Sequence, residues 1–259
     1  MRLSIVSLSF LLVFSKVSHA QILNEQFDAI IDNVESAFGI NENQERILIH
    51  RFWDPNAQSD SAIRFPFLTR ETPIITITGR IAKERTISED AFAILVCHEF
   101  GHHLAKGPRI GLRNLENWSA AEGEADYWAT SVCIKTYLRN QLNTPQRVMS
   151  HSPHLLDKSL ETKCENNYVT PEAIAICYRT LDAIHSLADY FTDHNQSRID
   201  FQSKAPPSSV LIRRFRLDNY RDQCRIETFL AGAFCQLRAE SLFQCKNEDD
   251  MRPRCWFKE

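Results

Sequence analysis

The sequence predicts a helix-rich α+β fold: a small sheet packed on one central helix, with a mainly helical C-terminal part. Three observations carry this. Apolar residues recur at helical spacing in several long segments, whereas β-branched runs are few and short. Only 7 of 259 residues are Gly, too few for a turn-dense sandwich or barrel. At 43% apolar and 24% charged, the chain has enough apolar material for a sizeable core and is not disordered as a whole.

The elements follow in order. Residues 1–20 carry Arg2, an apolar run from Leu8 to Phe14 broken by Ser9, and Ser18-His19-Ala20, which together read as a removed export signal. The apolar run is about half the ~20 residues needed to span a bilayer, and no later run approaches that length, so no membrane span is expected. The mature chain, 21–259, is read as one domain with its core at about 45–135 and a disulfide-bearing helical part at about 140–259.

Leu23, Phe27, Ile30, Ile31, Val34 and Phe38 lie on one helical face closed by Gly39, which predicts a helix over 22–38. Ile47 to Trp53 and Ile74 to Thr78 are short strands closed by Asp54-Pro55 and Gly79. Thr86 has capping-box spacing to Glu89, with Ser88 a rival cap, and a helix runs on towards Gly107-Pro108. A second helix starts near Ser119 and continues to about Arg139, a long one spans Pro171 to His194, and a last one spans Cys224 to Ala239.

A net charge of −3 offers no field to gather nucleic acid. All eight cysteines fall in the mature part, and an even count behind an export signal indicates disulfides in an oxidising compartment. Of the 105 possible connectivities, geometry removes those joining Cys224 to Cys235, which lie ~16 Å apart along one helix. No C-x-x-C spacing supports a thiolate zinc site.

His98-Glu99-Phe100-Gly101-His102 is an H-E-x-x-H pattern inside a segment that caps and periodicity already make helical. Residues four apart on a helix differ by ~40° in direction, so both imidazoles face one side and can hold one Zn2+, with Glu99 as general base towards a metal-bound water. A catalytic zinc needs a third protein ligand, and Glu122 opens the next helix. Asp126, one turn on, could accept a hydrogen bond from a ligand imidazole and fix its tautomer. Ser119-Ala120-Ala121-Glu122 is also a capping box, in which Glu122 would only bond back to the Ser119 amide. Glu124 is the runner-up ligand. His103 lies ~100° off the ligand face and reads as a supporting or structural residue. Gly101 and Gly123 each cost ~1 kcal/mol relative to Ala inside a helix, which a close helix approach around a metal would explain, as would a structural crossing without one.

On these residues the chain resembles the gluzincin metallopeptidases of the CAAX prenyl endopeptidase and HtpX-like family. Their H-E-x-x-H and downstream E-x-x-A-D appear here as His98 to His102 and Glu122-x-x-Ala125-Asp126. It is most similar to soluble, exported bacterial members with Cys97 before the motif and His103 after it. The resemblance covers about residues 45–135. It implies a zincin-like fold, one Zn2+ per chain on His98, His102 and Glu122, and hydrolysis of protein or peptide substrates in the periplasm or outside the cell. It also implies that the strand from Ile74 to Gly79 pairs with an extended substrate. The family's H-P-x4-R is reduced here to Asn219-Tyr220-x4-Arg225, which makes Arg225 a candidate transition-state stabiliser. The alternative to an enzyme is a non-catalytic exported binding protein with a structural or vestigial zinc site. The unligated Glu99 counts against it, because a structural metal has no need of a base.

Overall fold

A computed structural model describes residues 21–41, 45–54, 56, 61–67, 70–105, 109–110, 119–141, 157–205, 221–236 and 252–256. The export signal, the Gly107-Pro108 stop, the segment after residue 141 with His151 and His154, and Cys245 lie outside these residues.

The hub is helix α3, introduced here with the elements around it: α1 (Asn24–Phe38), β1 (Leu48–Phe52), β2 (Ser61–Phe67), β3 (Arg70–Thr78), α2 (Gly79–Ala82) and α3 (Glu89–Leu104). Every residue of α3 from Ala91 to His103 is buried except Glu99. A helix that is apolar on all sides belongs in the interior, so α3 has no amphipathic stripe. Its N-terminus is capped by Ser88, whose Oγ accepts the Ala91 N–H at 3.2 Å, so Ser88 and not Thr86 is the cap. Helix α1 packs Phe27, Ile30, Ile31 and Val34 inward, with the Phe27 ring 5.4 Å from Phe92 of α3. Leu23, expected on that face, is 64% exposed because α1 begins one residue after it.

The sheet has the order β1-β3-β2. β1 runs parallel to β3, pairing Leu48 with Ile74 through Phe52 with Thr78, and β2 runs antiparallel to it, pairing Ser61 with Thr76 and Phe67 with Arg70. β3 is therefore flanked on both sides over Ile74–Thr76, which corrects the expectation that this strand receives an extended peptide. The edges of this sheet belong to β1 and β2. β2 escaped the sequence reading because Pro66 interrupts it; an edge strand tolerates a proline because its outward side needs no donor. His103 Nε2 donates to the Ile74 carbonyl at 3.2 Å and ties α3 to β3.

The chain continues as β4 (Arg109–Ile110), β5 (Ser119–Ala120), α4 (Glu122–Trp128), a π-helical turn (Ala129–Cys133) and α5 (Ile134–Gln141). The helix expected from Ser119 thus starts three residues later, because Ser119 and Ala120 pair with Ile110 and Arg109 as a short antiparallel ladder. The C-terminal part contributes α6 (Lys158–Asn167), α7 (Pro171–Asn195), α8 (Arg221–Phe234) and a 3-10 turn (Arg254–Trp256). α7 begins with Pro171 after Thr170, whose Oγ1 accepts the Ala173 N–H. It is bolted to the first turn of α3 by a two-pronged Arg179–Asp90 pair at 2.8 and 2.9 Å. This is a helix-rich α+β chain with a small sheet.

Three disulfides join pairs of described residues: Cys97–Cys133 joins α3 to the π turn, Cys164–Cys177 joins α6 to α7, and Cys224–Cys255 joins α8 to the C-terminal 3-10 turn; Cys235 is also disulfide-bonded. Cys224 does not pair with Cys235, as helix geometry required, and no described cysteine is free. Such bonds persist in an oxidising compartment. Among the described residues no helix is long and apolar enough to cross a membrane.

Candidate metal centre

His98 and His102, one turn apart on α3, present their rings edge to face with centroids 4.7 Å apart. Glu122, the first residue of α4, brings its carboxylate between them. The three atoms His98 Nε2, His102 Nε2 and Glu122 Oε2 form a triangle with edges of 3.2, 3.1 and 3.5 Å. Zinc bonds of 2.0–2.1 Å in a tetrahedron require ligand atoms about 3.3–3.4 Å apart, so the triangle has the size of a tetrahedral metal's three-ligand face. His98, His102 and Glu122 form a group that could hold a metal ion.

The ring protons show why a cation belongs there. His98 Nδ1 lies 2.6 Å from Asp126 Oδ1, and His102 Nδ1 lies 2.9 Å from the Ala120 carbonyl. A carboxylate and a carbonyl only accept, so each Nδ1 carries the hydrogen, and in neutral rings both Nε2 atoms present lone pairs. Two lone pairs and a carboxylate oxygen then converge without a donor. Such an arrangement is repulsive unless a cation or a proton occupies the centre. Burial opposes charge on His98, yet the Asp126 and Glu122 carboxylates outweigh it and raise its pKa to about 10. Burial likewise opposes ionisation of Glu122, and hydrogen bonding to His102 and His98 outweighs that, holding it well below the usual carboxylate range.

Behind the ligands stands a second layer. Asp126 is 1% exposed, and beyond His98 it receives a two-pronged bond from Arg225 of α8, Nε to Oδ2 at 2.8 Å and a terminal nitrogen to Oδ1 at 2.7 Å. Burial works against the Asp126 charge, but Arg225 and then His98 keep its pKa lowered. The Arg225 guanidinium sits between the Phe191 and Phe229 rings, 5.2 and 5.6 Å from their centroids. Arg225 therefore reaches the centre through Asp126 and His98. The resemblance suggests a transition-state group; the described hydrogen bonds of Arg225 go to Asp126.

The two helices carrying the ligands touch backbone to backbone at Gly101, where a Cβ would lie 2.9 Å from both Cα and O of Ala125. Gly123 has a different reason: a Cβ there would meet the Trp256 ring at 2.9 Å, so it accommodates the C-terminal turn and not α3. Glu124 points away from the triangle and is buried against Arg252, 3.2 Å away. The capping-box alternative for Glu122 fails because Ser119 is in a strand and the residue at the helix cap is Ala121. Glu99 is half-buried, the only residue of the α3 stretch from Ala91 to His103 not enclosed by protein. Sequence reasoning missed the Ala120 carbonyl, which has no side-chain signature, and the Trp256–Gly123 and Arg252–Glu124 contacts, which join residues more than a hundred positions apart. Compared with protein-family models, curated proteins and solved structures, the chain gives no match.

Proposed function

We propose that the chain is an exported zinc-dependent endopeptidase in which His98, His102 and Glu122 hold one Zn2+ and Glu99 is the general base. The observation that carries this reading is the triangle of two imidazole Nε2 atoms and a carboxylate oxygen, sized for a tetrahedral metal, with a half-buried glutamate on the same helix. Two nitrogens and one oxygen at this spacing favour zinc, and three protein ligands leave the fourth position for water or substrate. When bound, the metal supplies Lewis-acid polarisation of the scissile carbonyl and lowers the pKa of a bound water towards ~7.

The chain's own residues supply the rest. Glu99 takes a proton from the attacking water and returns it to the leaving amine, so no covalent intermediate with the protein is needed. Asp126 holds His98 in the tautomer that directs Nε2 at the centre, and the Ala120 carbonyl does the same for His102. Arg225 keeps Asp126 ionised. An extended substrate that adds to the sheet has the outer edges of β1 or β2 to pair with, since β3 is flanked on both sides over Ile74–Thr76.

The test compares wild type with Glu99→Gln on a peptide library, with bound zinc measured in both. The reading predicts metal-dependent cleavage by wild type and equal zinc but no cleavage by Glu99→Gln. Equal turnover by the two proteins would remove Glu99 as the base.

A further inference from the structure

We infer that the C-terminal segment Arg252–Trp256 is a disulfide-latched clasp that positions Glu122, making the affinity of the metal centre depend on Cys224–Cys255 and on Trp256. This rests on the reading of His98, His102 and Glu122 as a metal site.

Two of the three metal-binding side chains come from α3, which is enclosed by core on all sides. The third does not share that support. Glu122 is the first residue of α4, its side chain is 26% exposed, and the cap residue Ala121 makes no side-chain hydrogen bond to the helix. A first turn without a side-chain cap leaves backbone N–H groups unsatisfied and frays readily. A ligand placed there needs an external brace.

The C-terminal turn provides one on both residues that follow Glu122. The Trp256 ring lies flush on the backbone of Gly123, with no room for even a methyl group between them. Its indole Nε1–H donates to Thr228 Oγ1 of α8 at 2.9 Å, which fixes the ring plane. Arg252 bonds the buried Glu124 carboxylate at 3.2 and 3.4 Å and stacks over Tyr127, 4.4 Å from the ring centroid. Cys255, next to Trp256, is bonded to Cys224 on α8, one residue before Arg225. Among the described residues this covalent link holds the tail against α4 and anchors it on the helix that orders Asp126. Without it, the described contacts of the five-residue brace are noncovalent. Glu122 then samples other positions, leaving two well-placed ligands instead of three.

The experiment measures zinc affinity by competition with a chromophoric chelator and records the visible spectrum of the cobalt(II)-substituted protein, whose intensity reports ligand number and geometry. Wild type is compared with Cys224→Ser/Cys255→Ser, Trp256→Ala and Trp256→Phe, and with Cys164→Ser/Cys177→Ser, which removes a disulfide joining α6 and α7. The clasp predicts zinc affinity lower by about 10–100-fold in the first two variants, the size typical of lost ligand support, with an altered cobalt spectrum. It predicts a smaller loss for Trp256→Phe, which keeps a ring but not the Thr228 bond, and near wild-type values for the control disulfide, whose loss lowers melting temperature only. Wild-type affinity and spectrum in Trp256→Ala would overturn the clasp, and this variant decides the matter if the double-serine protein fails to fold. Failure of wild type itself to bind zinc or cobalt would instead overturn the metal reading beneath it.

Discussion

Replacing Gly101 by Ala tests whether the approach of α3 and α4 sets the metal centre. The added Cβ would lie 2.9 Å from Ala125 Cα and O, and ordinary contact begins at 3.4 Å, so the two helices must part by about 0.5 Å. Both atoms are backbone, so no side chain can swing aside. Overpacking of this kind costs about 1–3 kcal/mol, while Ala gains about 1 kcal/mol over Gly in a helix interior. With a rigid neighbour the net is a loss of up to about 2 kcal/mol, or a melting temperature up to about 8 °C lower for a chain of this size. The same displacement moves Glu122 and Asp126 away from His98 and His102, well beyond the about 0.2 Å by which metal–ligand distances vary, so zinc affinity falls by at least roughly tenfold. Thermal unfolding of the metal-free protein and chelator competition for zinc measure the two effects separately. A melting temperature that rises, as Gly→Ala produces in an unobstructed helix, or an unchanged zinc affinity, would refute the reasoning.

Further expectations concern protons and buried charge. In the metal-free protein the His98 ring stays protonated up to a pKa of about 10, so zinc must displace that proton at neutral pH. The sign is fixed by this: apparent zinc affinity rises with pH, about tenfold per unit while pH stays below that pKa, and one proton per zinc is released. Calorimetry in buffers of different ionisation enthalpy reads that proton directly, and binding without proton release would contradict the raised pKa of His98. Arg225→Ala removes the partner of a carboxylate that is 1% exposed, and breaking a buried pair in this way costs about 3–5 kcal/mol. Urea denaturation would show it, and a loss under about 1 kcal/mol would mean that Asp126 is held by other groups.

The H-E-x-x-H half of the centre was legible because its information is local. Ser88 caps the helix from one residue before it, and the four-residue spacing alone puts His98 and His102 on one side. Glu122 was ambiguous for an equally physical reason. Whether Ser119 caps α4 depends on its pairing with Ile110, and strand pairing is not written in the four residues of a capping box. Arg225 stood out in sequence only through the resemblance, which assigned it to chemistry. Its bond to Asp126 spans 99 positions, and no local pattern announces it. The glycines carried half of their message: both mark close approaches, but nothing near Gly123 announces that its neighbour is Trp256. Leu23 was misjudged at a helix boundary, where a one-residue start decides, and β2 was missed because of its edge proline.

The central claim is tested most directly by elemental analysis of the purified, disulfide-bonded protein, wild type beside Glu122→Gln, after equilibration with zinc and removal of excess. One zinc per chain in wild type and a marked loss in the variant is the result that His98, His102 and Glu122 predict. Zinc absent from wild type, or held equally by Glu122→Gln, would contradict it.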